Sequence, residues 1–88
     1  MEYNNHVQYY KGVPIKLIVY TEKHFKRLKA KRFVLGNAKA HQNIWIPNTY
    51  LEPNGTLKNG VNIDFIFQKA YQQKKFYYAH ININPMLW

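Results

Sequence analysis

The side chains that carry most enzyme chemistry are scarce in this sequence of 88 residues. It contains no cysteine and no serine, which are the commonest nucleophiles. Its four carboxylates, at no spacing that suggests an acid–base pair, are Glu2, Glu22, Glu52 and Asp64. The four histidines are scattered, without a pair at i, i+4 spacing, so they predict no metal site. We therefore expect a protein that is not an enzyme and that needs no cofactor.

Basic residues are abundant by contrast, and they are concentrated. The net charge is +9, and residues 23–32 carry six cations and no acid. These six are Lys23, Lys26, Arg27, Lys29, Lys31 and Arg32. Charges this dense repel one another, and a polyanion would relieve that cost and release its own counterions. The segment therefore predicts a nucleic-acid backbone as partner, although a solvated lysine-rich loop is the plainer interpretation.

A second basic stretch, residues 73–78, has aromatic side chains beside its charges. We predict that Lys74, Lys75 and Tyr78 also bind the partner. Stacking of bases on tyrosine beside a basic groove is how sequence-tolerant single-strand binders work. Only two arginines are present, and arginine on guanine is the commonest base-specific contact. The expected partner is thus DNA or RNA, bound with little sequence selectivity.

The same charges fit a protein inhibitor of a host nucleic-acid-handling enzyme or defence nuclease, in the manner of anti-CRISPR proteins. A nucleic-acid binder should bring residues 23–32 and 74–75 to one face with exposed aromatics. An inhibitor should instead show a compact apolar patch with charges at its rim, around Trp45, Tyr50 or Trp88. A structural subunit that assembles through a sheet edge or through the tail 86–88 is a third alternative.

Hydrophobic patterning predicts the elements that position these residues. The β-branched and aromatic stretches 13–20, 32–35 and 44–46 indicate strands. A short helix over about 22–30 would turn Phe25 and Leu28 inward. The 3.6-residue spacing of Ile63, Phe67 and Ala70 predicts the main helix over 63–75.

The ends of this helix and the segment after it also have readable patterns. Asn62 is the predicted N-cap, and Asp64 complements the helix dipole in the first turn. Alternation over residues 77–83 indicates a last strand that places Tyr78 on its polar face. We expect plain core packing for Phe25, Phe33, Phe65 and Phe67.

The element order β-(α)-β-β-α-β predicts that residues 1–88 form one basic α+β domain. It would have a single small sheet of about four strands with the main helix, 63–75, on one face. A small β-barrel is the alternative. No apolar run approaches the length of a membrane span, and the lack of cysteine favours a reducing compartment, so we expect a cytoplasmic protein without membrane contact.

One segment carries a family resemblance. The strand Ile44-Trp45-Ile46-Pro47-Asn48, within residues 31–51, resembles the WIP-type strand of small uncharacterised phage and plasmid proteins of low-GC bacteria. Asn48 stands here in place of the usual basic residue. The resemblance implies a mobile-element setting in the host cytoplasm, and it implies no biochemical activity.

Overall fold

The computed structural model describes residues 2–19, 26–36 and 42–82. The four strands are β1 Gln8–Tyr10, β2 Val13–Leu17, β3 Ala30–Leu35 and β4 Asn43–Pro47. A 3-10 turn, Asn48–Tyr50, and two helices follow: α1 Asp64–Gln72 and α2 Lys75–Tyr78. The strands form one antiparallel sheet in the order β1-β2-β3-β4. The predicted α+β class is confirmed, with four strands and one main helix, and the sheet is open and not closed into a barrel.

Alternation along the strands places the core on one face of the sheet. Val13, Ile15 and Leu17 of β2 are buried, while the residues between them are half-buried. The strand register sets Leu17 opposite Phe33, which in turn lies opposite Ile44, so all three point to the same face. Helix α1 contributes the buried residues Phe67 and Ala70 to this core.

The main helix begins close to where the sequence predicted and ends earlier. The Asn62 side chain accepts a hydrogen bond from the Asp64 N–H at 3.1 Å, although the helix boundary itself falls at Ile63. The helix ends at Gln72, and a second short helix follows. Core packing is confirmed for Phe33 and Phe67, whereas Phe65 is exposed. Phe25 lies outside the described residues.

The predicted strand over 77–83 is wrong for the residues that the structure describes. Residues 75–78 are helical, and the Ile81 N–H donates to the Phe76 carbonyl at 3.0 Å. Phe76 is buried, and its ring centroid lies 6.3 Å from that of Phe67. Removing the large Phe76 ring from water stabilises the helical conformation. This gain in free energy is greater than that of an isolated strand with the same alternating pattern.

The fourth strand is instead β1, which the sequence did not predict. It pairs with β2 through a tight turn at Lys11 and Gly12, where φ is 47° and 82°. Two successive positive φ values are typical of the type I′ hairpin turn. Lys11 is an uncommon residue at such a position, so the usual Asn-Gly pattern of this turn was missing.

The predicted strand 13–20 and the helix over about 22–30 are only partly described. Strand β2 ends at Leu17, and Ile18 and Val19 continue without strand structure. Lys26 and Arg27 are helical, but Ala30 already begins β3, so the helix ends earlier than predicted. Residues 20–25 lie outside the described residues. Within the described ranges, no helix is long and apolar enough to cross a membrane.

A polar network joins the β1–β2 hairpin to the start of α1. The Tyr10 hydroxyl donates to the Asp64 carboxylate and accepts from the Ile63 N–H at 3.0 Å. The Lys11 ammonium forms an ion pair with the other Asp64 oxygen at 2.8 Å. Burial raises the pKa of the Tyr10 phenol, which keeps its proton available for the carboxylate. The network therefore fixes where the main helix begins.

Candidate nucleic-acid interface

The lysine-rich segment is attached to the C-terminal end of β4. The Asn48 side-chain amide donates to the Leu28 carbonyl at 2.7 Å. The Asn48 backbone N–H donates to the Lys29 carbonyl at 2.9 Å. These bonds fix the backbone at Leu28 and Lys29, just before the chain enters β3.

Of the predicted cations in this segment, Lys26, Arg27 and Lys29 are exposed. Lys31 is only 7% exposed, and its ammonium donates to the Leu28 carbonyl at 2.8 Å. Burial lowers the pKa of Lys31. The burial of Lys31 could have been predicted from its spacing. Lys31, Phe33 and Leu35 are two residues apart, so they lie on the same face of the strand.

The other two predicted residues of the segment are placed differently. Arg32 is half-buried on the opposite face of the sheet, where the register sets it beside Trp45. Lys23 lies outside the described residues. The six cations thus do not form one uniformly exposed patch.

A cavity of about 490 Å³, which we call the lysine cleft, brings two members of the segment together with a distant lysine. Among the described residues, three lysines (Lys26, Lys31 and Lys58) and one carboxylate (Glu52) line it. Tyr3, Asn48, Leu51 and Pro53 also line it. Three lysines around one cavity favour an anionic occupant, because their Coulomb attractions for an anion add together.

Sequence reasoning missed Lys58 and Tyr3 because loop geometry, and not local pattern, brings them to the cleft. A β-bridge between Leu51 and Leu57 folds the intervening turn back on itself. The Lys58 N–H then donates to the Tyr50 carbonyl at 3.0 Å. The N-terminal segment is held to the same turn by the Asn4 N–H, which donates to the Asn54 carbonyl at 2.8 Å.

The second predicted cluster lies at the other end of β4. The Lys75 ammonium donates to the Asn43 carbonyl at 2.6 Å, so it anchors α2 to this edge strand. Asn43 and Asn48 are separated by the length of β4, roughly 16 Å at about 3.3 Å per residue. The contacts that anchor residues 28–29 and the contact that anchors Lys75 therefore lie at opposite ends of β4.

Tyr78 and Lys74 are exposed, as a binding role requires. Tyr78 reaches the surface from helix α2, and not from the polar face of the predicted strand. Lys74 connects the two helices in a left-handed conformation, with φ of 60°. Tyr71, Tyr77 and Tyr78 gather around this residue.

The residues expected of an inhibitor surface are also partly described. Trp45 is 48% exposed and lines a cavity of about 220 Å³ with Ile66 and Ala70, and lysines 69 and 75 stand at its rim. Tyr50 is half-buried, with its ring edge-on to Phe65 at 6.1 Å. Trp88 lies outside the described residues.

Residues 2–19, 26–36 and 42–82 contain no group of three histidine or acidic side chains close enough to bind one metal ion. The Asp64 carboxylate is engaged by Lys11 and Tyr10.

No protein family, curated protein or solved structure matches this chain. The resemblance of residues 31–51 to phage and plasmid proteins therefore stays an expectation.

Proposed function

We propose that this chain is a non-catalytic nucleic-acid-binding protein that contacts the phosphate backbone with little sequence selectivity. The supporting observation is the lysine cleft, because Lys26 and Lys58 line the same cavity although they are distant in sequence. A solvated lysine loop would not need a partner lysine from a separate turn. An origin in a phage or another mobile element, and action in the host cytoplasm, belong to the same proposal.

The chemistry of the cleft agrees with backbone contact more than with base reading. Lysine acts as a point charge toward phosphate, and it lacks the planar fork with which arginine recognises guanine. Arg27 and Lys29 are exposed beside the cleft and extend its positive field along the same segment. Phosphate contacts position a protein on nucleic acid without reading its sequence.

The test is a pair of variants that remove the same charge from different places. Lys26→Gln with Lys58→Gln removes two charges from the cleft, and Lys16→Gln with Lys69→Gln removes two from β2 and α1, which do not line it. Lys31 stays unchanged because its ammonium hydrogen-bonds the Leu28 carbonyl. We expect the cleft variant to lower the salt slope for duplex DNA by about 1.8, at about 0.9 for each phosphate that is no longer neutralised.

The control variant should change the slope much less, and circular dichroism should show that both variants are folded. Equal slopes in the two variants would mean that only net charge matters and that the cleft has no specific role. Undiminished affinity and slope in the cleft variant would refute the proposed contact.

Inhibition of a nucleic-acid-handling enzyme is the second candidate function, and the exposed Trp45 with lysines at its rim favours it. This surface has the apolar centre and charged border of a protein-binding hot spot. Oligonucleotide binding at low salt distinguishes the two functions, since an inhibitor need not bind oligonucleotides at all. Trp45→Ala would then be the informative variant in binding assays with candidate nucleases.

A further inference from the structure

Three tyrosines form an exposed patch at the junction of the two helices. Tyr71 from α1 and Tyr77 and Tyr78 from α2 line an open cavity of about 540 Å³ together with Gln72 and Lys74. Tyr77 is 76% exposed and Tyr78 is 56% exposed. Their rings meet edge-on, with centroids 5.4 Å apart. We call this group the tyrosine patch.

Tyr77 and Tyr78 have no role in packing the core, because Phe76 of the same helix fills it, and Tyr71 contacts the Phe76 ring at 6.4 Å between centroids. Phe76 of α2 is buried, and its ring centroid lies 6.3 Å from that of Phe67. Tyr77 and Tyr78 point away from this core and expose most of their rings. Large aromatic surface that is left in solvent beside polar groups is typical of an interaction site.

The backbone is strained where the patch is assembled. Lys74 adopts the left-handed conformation, with φ of 60°, which is unfavourable for a residue with a side chain. This break ends α1 and restarts the chain as α2, so that Tyr71 and Tyr77 come to line one cavity.

The charges around the patch fit an anionic partner. The exposed Lys74 lines its cavity. The sequence has no acid after Asp64, and the Asp64 carboxylate is paired with Lys11 at 2.8 Å. Exposed rings beside ammonium groups are the combination that binds unpaired bases and their phosphates.

We propose that the tyrosine patch stacks the bases of single-stranded nucleic acid, and that it makes the protein prefer single strands to duplexes. The proposal rests on the nucleic-acid binding proposed above and adds the class of nucleic acid. Unpaired bases can lie on the tyrosine rings, whereas a duplex keeps its base faces stacked inside. Lys74 would hold the adjoining phosphate as a point charge.

The test compares affinity for a fluorescent oligothymidylate of about 10 nucleotides with affinity for a hairpin duplex of similar charge. A strand of about 10 nucleotides lies within the range of known single-strand site sizes. Tyr77→Leu with Tyr78→Leu removes both rings and keeps apolar side chains, while Tyr77→Phe with Tyr78→Phe keeps both rings. The single variant Tyr77→Leu changes the most exposed ring and is the safer choice if the double variant does not fold. Tyr9→Leu, at another exposed tyrosine, serves as the matched control.

We expect the double leucine variant to bind the single strand about 10-fold more weakly or worse, and the duplex within about twofold of the unchanged protein. The phenylalanine variant and Tyr9→Leu should bind both probes normally. Normal single-strand affinity in the leucine variants would overturn the stacking proposal and leave backbone binding intact. If the unchanged protein binds neither probe, nucleic-acid binding itself fails, and the stacking proposal fails with it.

Discussion

Removal of one oxygen atom, by Tyr10→Phe, tests how the hairpin holds the main helix. The Tyr10 ring is 7% exposed and stacks on Phe67 with centroids 4.6 Å apart, and phenylalanine would keep this contact. The hydroxyl makes two bonds, one to the Asp64 carboxylate and one from the Ile63 N–H. The substitution therefore isolates the polar contribution.

The expected loss follows from the environment of the two partners. Ile63 is fully buried, so its N–H would have no replacement partner, which costs about 1–3 kcal/mol. The Asp64 carboxylate is partly open to solvent and keeps its ion pair with Lys11, so we add nothing for it. The free energy of unfolding should thus fall by about 1–3 kcal/mol.

Urea unfolding, followed by circular dichroism, measures this change. The slope of unfolding free energy against urea should stay constant, because the surface exposed on unfolding is nearly the same. Tyr9→Phe is the matched control, because the Tyr9 side chain is 69% exposed. This substitution should change the free energy of unfolding by no more than about 0.5 kcal/mol. A Tyr10→Phe loss as small as that of the control would refute the reasoning.

Two further predictions concern acid stability and a tight turn. The hydrogen bond from Lys11 lowers the pKa of Asp64, so this carboxylate stabilises the fold above about pH 4, its ordinary range, and the contribution is lost as pH falls through the lowered pKa. Urea melts at decreasing pH should therefore show a flatter acid limb for Asp64→Asn, and an unchanged limb would contradict the role of the ion pair. Gly55 and Gly60 both have positive φ, but a Cβ on Gly55 would lie 2.5 Å from Leu17 Cδ2, whereas one on Gly60 meets nothing within 4 Å. Gly55→Ala should cost about 1 kcal/mol more than Gly60→Ala in the same melts, and equal losses would contradict this packing.

The parts of the fold that the sequence predicted are those where local pattern and burial agree. Alternating apolar residues mark β2 and β4, and the spacing of Ile63, Phe67 and Ala70 marks the buried stripe of α1. Each of these patterns is long enough to bury a continuous face.

The parts that it did not predict depend on contacts between distant residues. Alternation at 77–83 suggested a strand, but residues 75–78 form a helix that buries Phe76 against α1. Strand β1 has only three residues, and its turn at Lys11 lacks the usual composition. Short elements of this kind gain their stability from tertiary packing, which one-dimensional patterns do not contain.

The candidate site shows the same division. The exposure of Lys26, Arg27 and Lys29 follows from their place in a charged run, and the exposure of Tyr78 was also expected, although from a strand. The place of Lys58 in the lysine cleft could not be predicted from its neighbours in sequence. It depends on the β-bridge between Leu51 and Leu57, which folds the chain back before Lys58.

Nucleic-acid binding is tested most directly by the affinity of the purified protein for labelled single-stranded and duplex oligonucleotides across a range of salt concentrations. We expect micromolar or tighter binding, with the logarithm of affinity falling linearly against the logarithm of salt. If Lys26, Lys58 and Lys74 each neutralise one phosphate, the single-strand slope should be about 2 or steeper, at about 0.7 per neutralised phosphate. Absence of binding to both probes at ~50 mM salt, or an affinity that does not change with salt, would contradict the proposed function.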